Sequence, residues 1–295
     1  MQKEKGVVHI NPEGNQVFNY AVNYRCNNNC VMCINNQPDL RDEISFDEIK
    51  KRFSTLDKNI NYCFITGGEP TLRKDFIEMM EFLRNNFKGK IHLLTNARMF
   101  YYDDFFKKFD NLNINDKINF GIPLYGHNKD VFESISRSPG SFKQSVKGTK
   151  RLLEKGYNVE IRTIIHKLNY KHLTKVGKFI LKEFPQVMHL FFGTMEFTGN
   201  GLKNKDILFV SYDKIKPYVQ KTADLLEAKI EFTFNQFPLC KLSKKYWKYA
   251  DHCTIVPEEH IYLKICENCR VKDKCSGIWK SYFLKGKKQE FSAVR

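Results

Sequence analysis

Three cysteines within eight residues constrain this chain of 295 residues more than any other feature. Cys26, Cys30 and Cys33 follow residues 18–25, an alternating and aromatic-rich segment that predicts a strand. Thiols spaced this closely can bind one soft metal centre. A closed zinc site needs four ligands, whereas three thiolates on a four-iron cubane leave one iron open. The spacing therefore predicts a metal site on the loop after the first strand.

The C-x3-C-x2-C spacing resembles the signature of the radical S-adenosylmethionine (SAM) superfamily. In that superfamily the open iron binds the amino and carboxylate groups of SAM, and one electron splits SAM into methionine and a 5′-deoxyadenosyl radical. The resemblance implies that Cys26, Cys30 and Cys33 hold this cluster. A zinc knuckle or chance is the alternative. Met32 stands where the superfamily commonly has an aromatic residue, but it is apolar and can still pack over a cluster.

A second motif, Gly67-Gly68-Glu69-Pro70, directly follows a short apolar stretch, residues 62–66. Two glycines let the backbone approach a ligand closely. The carbonyls and Glu69 can accept hydrogen bonds from an ammonium group. The motif resembles the superfamily's second motif, which implies a role in binding the SAM amino group. An ordinary turn between a strand and a helix is the alternative.

Four further residues are candidates by position. Asn96 ends the third predicted strand, where the superfamily contacts the SAM ribose or carboxylate; a polar strand cap is the alternative. Arg162 lies in an apolar strand, where a charge is costly unless paired. Its guanidinium could bind the SAM carboxylate or an internal partner such as Glu160. Tyr125 and Glu196, at two other strand ends, could face the substrate or simply pack and carry surface charge.

Hydrophobic periodicity predicts alternating strands and helices. The predicted strands are residues 18–25, 62–66, 91–95, 117–124, 158–165 and 187–192, and the predicted helices are 45–56, 74–87, 103–109, 141–155 and 172–184. Ser45 and Ser141 are the expected helix caps, and residues 35–39 form an expected turn. This alternation predicts an α/β fold with a parallel sheet. The superfamily resemblance implies a six-unit (β/α)6 partial barrel with its chemistry at the carboxyl ends of the strands.

The pattern changes near residue 200. A helix at 213–228 and a strand at 230–235 are followed by a lysine-rich tail that contains Cys240, Cys253, Cys266, Cys269 and Cys275. Since this tail has few core-forming residues, we expect it to need a metal to fold. The predicted division is a core at 1–199 and a small cysteine-rich metal-binding extension at 200–295.

Cys266-x2-Cys269-x5-Cys275 resembles the SPASM/twitch auxiliary cluster domains of peptide-modifying radical SAM enzymes. The resemblance implies a second [4Fe–4S] cluster, with Cys240 as its natural fourth ligand. Cys253 is the alternative fourth ligand, and an open iron or a four-thiolate zinc site is also possible. His252 is more simply a surface residue. Cys63 lies in the middle of a predicted strand and is expected to be buried.

Composition restricts location and partners. No apolar run approaches the roughly 18 residues of a membrane helix, and the first residues lack the apolar core of a signal peptide. A cytoplasmic location follows, where nine cysteines indicate metal binding and not disulfides. The net charge of +16 favours RNA, an acidic peptide or nucleotide phosphates as partners, and a solvated lysine-rich surface is the alternative.

The chain most resembles the His-Xaa-Ser system radical SAM maturases, over residues 26–33, 67–70, 122–126, 159–165, 238–240 and 266–277. That resemblance implies an oxidoreductase-type enzyme that modifies, and by expectation cross-links, a ribosomally synthesised precursor peptide. It also implies an external electron donor of the flavodoxin or ferredoxin type and no membrane partner. A tRNA-modifying radical SAM enzyme is the first alternative, although a basic-aromatic recognition segment is missing. A non-catalytic iron–sulfur or zinc protein is the second.

Overall fold

The computed structural model describes residues 6–10, 16–34, 44–251 and 259–295. The chain divides into two compact units. The first comprises Met1–Asn29, Asn35–Pro123 and Ser136–Glu160, and the second comprises Cys30–Ile34, Leu124–Ile135 and Ile161–Arg295. The predicted division at residue 200 falls inside the second unit and stays a prediction.

The first unit is built on parallel strands that are neighbours in chain order. Its described strands are β1 (Val7–Ile10), β2 (Gln16–Ala21), β3 (Tyr62–Thr66), β4 (Lys90–Leu94) and β5 (Ile118–Pro123). Strand β1 pairs antiparallel with β2, and the others pair parallel. The register aligns two buried rows across the sheet: Phe18, Cys63, Ile91 and Ile118, then Tyr20, Ile65, Leu93 and Phe120. One sheet face therefore forms part of the core, as alternation along each strand requires.

Helices of the first unit follow these strands along the chain. They are α1 (Phe46–Ser54), α2 (Phe76–Asn86), α3 (Asp103–Asp110) and, after α4 (Lys129–Ser136), α5 (Ser141–Glu154). Ser45 caps α1 as predicted, because its Oγ accepts from the backbone N–H of Glu48 at 3.2 Å. The predicted cap at Ser141 is wrong by one residue. Gly140, at φ +80°, occupies the N-cap, and Ser141 Oγ instead lies 2.7 Å from Ser136 Oγ.

Aromatic rings fill the core of the first unit. Phe100 is fully buried, and its ring contacts those of Phe109 and Phe120 at centroid distances of 5.1 and 5.5 Å. Tyr157 completes this cluster, 5.7 Å from Phe109 and 5.5 Å from Phe120. Rings in edge-on contact bury large apolar areas and add attraction beyond that burial. The contact between Phe109 of α3 and Phe120 of β5 packs this helix against the sheet.

The second unit has its own strands and helices. Strand β6 (Asn158–Ile165) begins in the first unit and ends in the second, which continues with α6 (Leu173–Glu183), β7 (His189–Thr194), α7 (Gly199–Lys203), α8 (Lys205–Leu208), α9 (Tyr212–Leu226), β8 (Phe232–Asn235), β9 (Ala250–Asp251), β10 (His260–Ile261) and β11 (Ile278–Trp279). Strands β7, β8 and β9 pair parallel, and β10 pairs antiparallel with β11. Helices α6 and α9 pack together, with Thr174 Oγ1 lying 3.2 Å from Thr222 Oγ1.

The predicted α/β fold with a mostly parallel sheet is confirmed. The first predicted strand ends at Ala21, four residues earlier than predicted. Residues 22–25 lie beside the Gly67–Pro70 turn instead. Strand β1 and helix α4 were not predicted. The expected turn at 35–39 lies outside the described residues. Among the described helices, none is long and apolar enough to span a bilayer.

Candidate functional site

The Gly67–Pro70 turn, at the carboxyl end of β3, holds the segment that leads into the first cysteine. The N–H of Gly68 donates to the carbonyl of Asn23 at 2.9 Å, and that of Glu69 donates to the carbonyl of Arg25 at 2.8 Å. A Cβ atom at Gly67, which has φ +152°, would lie 2.3 Å from Asn23 O, and one at Gly68 would lie 2.4 Å from Arg25 O. Only glycine fits at both positions.

The carboxylate of Glu69 is buried and accepts four hydrogen bonds within the protein. Its Oε1 accepts from Thr71 N at 3.2 Å, and from Thr71 Oγ1 and Thr95 Oγ1 at 2.6 Å each. Its Oε2 accepts from Asn96 N at 2.7 Å. Burial raises the pKa of Glu69, and these bonds oppose the rise. The side chain thus ties the end of β3 to the end of β4.

Residues after β4 hold the beginning of the cysteine loop (residues 26–33). Asn96 donates from Nδ2 to Asn27 Oδ1 at 2.7 Å and lies 3.9 Å from Cys26 Sγ. Arg98 donates to the carbonyl of Asn27 and, at 2.7 Å, to Asn28 Oδ1. The N–H of Asn28 donates to Cys26 Sγ at 3.3 Å. Arg98 was missed by the sequence reasoning, because its partners lie about 70 residues away in the chain.

The second half of the cysteine loop belongs to the second unit, where α7 holds it. Asn200 donates from its side chain to the carbonyl of Cys30 at 3.2 Å and from its backbone to the carbonyl of Cys33 at 2.9 Å. Asn204 donates to the carbonyl of Val31 at 2.9 Å. A Cβ at Gly199, φ +51°, would meet Cys33 O at 2.7 Å. Asn200 and Asn204 were not predicted either, and they lie in the segment predicted to be the extension.

Tyr125 follows β5 and points its hydroxyl at a cysteine. The hydroxyl oxygen lies 3.2 Å from Cys30 Sγ, and both side chains are buried. Arg162 places its guanidinium 3.8 Å above the ring of Phe191. Glu196 is partly buried, and burial together with the nearby charge of Glu259 raises its pKa. The predicted SAM contact of Arg162 stays a prediction.

In the tail, four cysteines line one pocket: Cys240, Cys266, Cys269 and Cys275, together with Pro238, Leu239, Ile261, Ile278 and Phe291. These four cysteines form no disulfide. Burial raises the pKa of Cys240 and of Cys275. Backbone N–H groups oppose the rise, that of Ser292 at Cys240 and those of Leu239 and Gly277 at Cys275.

Donors of this kind suit thiolate ligands of an iron–sulfur cluster. The N–H of Val294 likewise donates to Cys269 Sγ at 3.4 Å. Within the described residues, no three His, Cys, Asp or Glu side chains are grouped to hold a single metal ion. Cys253 and His252 lie outside the described residues. Cys63 is fully buried in β3 as predicted, and burial raises its pKa.

Comparison with known proteins identifies relatives over this region. Residues 20–180, more than half of the chain, match the model of the Radical SAM superfamily. The antilisterial bacteriocin subtilosin biosynthesis protein AlbA of Bacillus subtilis is 28% identical over 154 residues, which cover 51% of this chain and 33% of that protein. The GTP 3′,8-cyclase of Campylobacter jejuni subsp. doylei is 28% identical over 215 residues, 66% of this chain and 62% of the cyclase.

Solved structures share the fold. Streptococcus suis SuiB bound to S-adenosylmethionine aligns with a TM-score of 0.64 and 14% identity, over 94% of this chain and 76% of that one. SuiB bound to its precursor peptide SuiA aligns with a TM-score of 0.59 and 14% identity, over 74% of this chain and 48% of that one. The chain spans less than two thirds of the length of the curated relatives it matches.

Proposed function

Because this chain belongs to the Radical SAM superfamily, whose members are enzymes, we propose that it cleaves SAM reductively and modifies a ribosomally synthesised precursor peptide. The family uses a [4Fe–4S] cluster and SAM. The three thiols of Cys26, Cys30 and Cys33 would hold that cluster. The observation that carries the proposal is the pairing of this loop with the Gly67–Pro70 turn. Backbone N–H groups of the turn donate to carbonyls in the segment before Cys26.

The residues present suit this cofactor pair. The N–H of Asn28 donates to Cys26 Sγ, as N–H groups do around cluster sulfurs. The turn at Gly67 and Gly68 would bind the SAM ammonium, Asn96 the ribose or carboxylate, and Arg162 the carboxylate. The bound cluster and SAM supply hydrogen abstraction, and these side chains orient SAM for it. Glu69 and Pro70 would shape the turn, with the Glu69 carboxylate engaged inside the protein.

We further propose that the described strands and helices form the six-unit partial barrel of this superfamily, with residues 200–295 as its cysteine-rich extension. Its four pocket-lining cysteines would hold a second [4Fe–4S] cluster. A cluster held there would supply an acceptor for the electron left after a cross-link forms, so that the modification would be a net oxidation. The backbone N–H donors at Cys240, Cys269 and Cys275 support this assignment.

The cluster assignment is tested by anaerobic reconstitution followed by addition of dithionite and SAM. We expect 5′-deoxyadenosine to form with the wild type and not with a Cys26/Cys30/Cys33 triple alanine variant. Cys63→Ala is the matched control, because this cysteine is buried in β3 and should leave turnover unchanged. Undiminished turnover in the triple variant would refute the assignment.

The second cluster is tested by counting iron and sulfide. Two four-iron clusters give about eight irons per chain. Single alanine variants of Cys240, Cys266, Cys269 and Cys275 should each lose the second cluster, while Cys253→Ala should retain it. Four irons and one tightly held zinc in the wild type would refute the second cluster. Loss in Cys253→Ala with retention in Cys240→Ala would change only the fourth ligand.

The substrate class rests on two kinds of relative. AlbA is a bacteriocin biosynthesis protein, and SuiB was solved with a precursor peptide, which favours a peptide. The similarity to GTP 3′,8-cyclase makes a purine nucleotide the second candidate. The net charge of +16 attracts either one.

The two candidates are separated by incubating the reduced enzyme and SAM with a peptide from a neighbouring reading frame or with GTP. We expect mass spectrometry to show a loss of hydrogen from the peptide. The affinity of the enzyme for the peptide should fall as the salt concentration rises. Conversion of GTP without any change in the peptide would support the second candidate instead.

A further inference from the structure

Tyr125 occupies a fixed position after the end of β5. The N–H of Leu124 donates to the carbonyl of Arg162 at 3.0 Å, and Thr163 Oγ1 donates to the carbonyl of Leu124 at 2.9 Å. The side chain of Asn169, itself fully buried, donates to the carbonyl of Tyr125 at 3.4 Å. Residues of β6 and of the loop after it therefore hold the backbone on both sides of the Tyr125 Cα.

The side chain of Tyr125 is held as well. It is 7% exposed, and its ring packs against that of Phe132 with centroids 5.0 Å apart. Its hydroxyl lies 3.2 Å from Sγ of Cys30, which is 8% exposed. The backbone of Cys30 is in turn bound by Asn200. Both partners of the O–H and sulfur contact are therefore anchored independently of each other.

We propose that Tyr125 is a positioning residue that hydrogen-bonds the Cys30 ligand and raises the reduction potential of the SAM-cleaving cluster. This inference rests on the proposed function. A thiolate bound to iron carries no proton, so the tyrosine hydroxyl must be the donor. Reduction adds one electron, supplied by the external donor or by dithionite, and the negative charge on the ligand sulfurs grows. A donor aimed at one sulfur stabilises that state more than the oxidised state. The proton stays on the tyrosine oxygen.

The test is an anaerobic redox titration of reconstituted full-length protein, followed by electron paramagnetic resonance. The signal to follow is the one whose shape changes when SAM is added, since this identifies the cluster with the open iron. In Tyr125→Phe we expect the equilibrium constant for one-electron reduction to fall about tenfold, which corresponds to a potential lower by about 59 mV.

Tyr157→Phe is the matched control. Tyr157 is also buried, but its hydroxyl lies 3.3 Å from Asp110 Oδ1, so its removal should not change the potential. An unchanged potential in an iron-loaded Tyr125→Phe protein, or an equal shift in both variants, would overturn the inference. Neither result would count against the proposed cleavage of SAM.

A second substitution keeps the inference testable if the Tyr125→Phe variant binds its cluster poorly. Replacing Tyr125 by 3-fluorotyrosine keeps the ring and strengthens the hydroxyl as a donor, so the potential should rise. No shift, or a shift to lower potential, overturns the inference. If the wild type binds no cluster at Cys26, Cys30 and Cys33, the proposed function fails as well, and the iron count reports this separately.

Discussion

Replacing Glu69 by glutamine separates a structural role of this carboxylate from a role as a ligand for SAM. In the protein, Oε1 accepts from Thr71 and Thr95, and Oε2 accepts from the backbone N–H of Asn96. Glutamine has the same shape, but its amide nitrogen cannot accept. Threonine hydroxyls can rotate, whereas backbone N–H groups cannot. In either orientation of the amide, the N–H of Thr71 or that of Asn96 faces another donor.

An unsatisfied buried donor costs about 1–3 kcal/mol. We therefore expect Glu69→Gln to lower the free energy of unfolding by about 1–3 kcal/mol in protein without cluster or SAM. Urea unfolding followed by circular dichroism measures this, with the dependence on urea concentration unchanged. Glu154→Gln is the control, because Glu154 is exposed and its variant should stay within about 0.5 kcal/mol of the wild type.

The opposite pattern would refute this reasoning. If Glu69→Gln unfolds like the wild type and instead loses at least tenfold in SAM affinity, the carboxylate is a ligand and its four internal hydrogen bonds contribute little. If the variant loses stability and still binds SAM once loaded with iron, the structural role is supported.

Three further perturbations follow from the contacts described. Asn200→Ala removes the side-chain donor to the Cys30 carbonyl, so iron loading should fall several-fold. Asn86→Ala, which removes an exposed side-chain hydrogen bond within α2, should load iron normally. Equal iron loading in both variants would show that Asn200 does not anchor the loop. Ser45→Ala should cost about 1 kcal/mol in urea unfolding through loss of the α1 cap, whereas Ser211, which makes no side-chain cap bond, should tolerate alanine. Burial lowers the pKa of His166 from 6.5 to about 3, so the unfolded chain takes up its proton first. The free energy of unfolding should then fall by about 1.6 kcal/mol in total as the pH drops from 6.5 to 5, and His166→Gln should remove that contribution; an equal fall in the variant would exclude His166 as its source.

The sequence was a good guide wherever a local pattern decides the structure. Strands β3 and β6 begin and end at the predicted residues, because β3 is a short apolar run and β6 alternates buried with less buried residues. Helix α4 was missed because it follows Gly126-His127-Asn128 and carries alternating charges, so its apolar stripe is short. Strand β1, at the edge of the sheet, was missed because four residues are too few to show a hydrophobic periodicity.

The residues of the candidate site can likewise be divided into those that a local sequence pattern reveals and those that it does not. The cysteine spacing and the Gly67–Pro70 turn can be recognised because each is contiguous in the chain. Arg98 and Asn200 cannot be recognised, because an arginine or asparagine becomes an anchor only when folding brings it to a backbone carbonyl 71 or 170 residues away. Glu69 was recognised, but its hydrogen-bond partners depend on how two strand ends meet, which the motif does not specify.

If the cysteine loop holds the proposed cluster, the contacts that Asn200 and Asn204 make with the loop affect when that cluster can be assembled. Asn204 is 173 residues from Val31, whose carbonyl it binds. At roughly 5–20 residues per second, a ribosome needs about 9–35 s to make the chain between them. During that time the thiols of Cys30 and Cys33 have emerged without their final anchors and are open to oxidation or to the wrong metal. Delivery of iron and sulfide after α7 has been synthesised, and not during translation, is the order of events that this long-range contact favours.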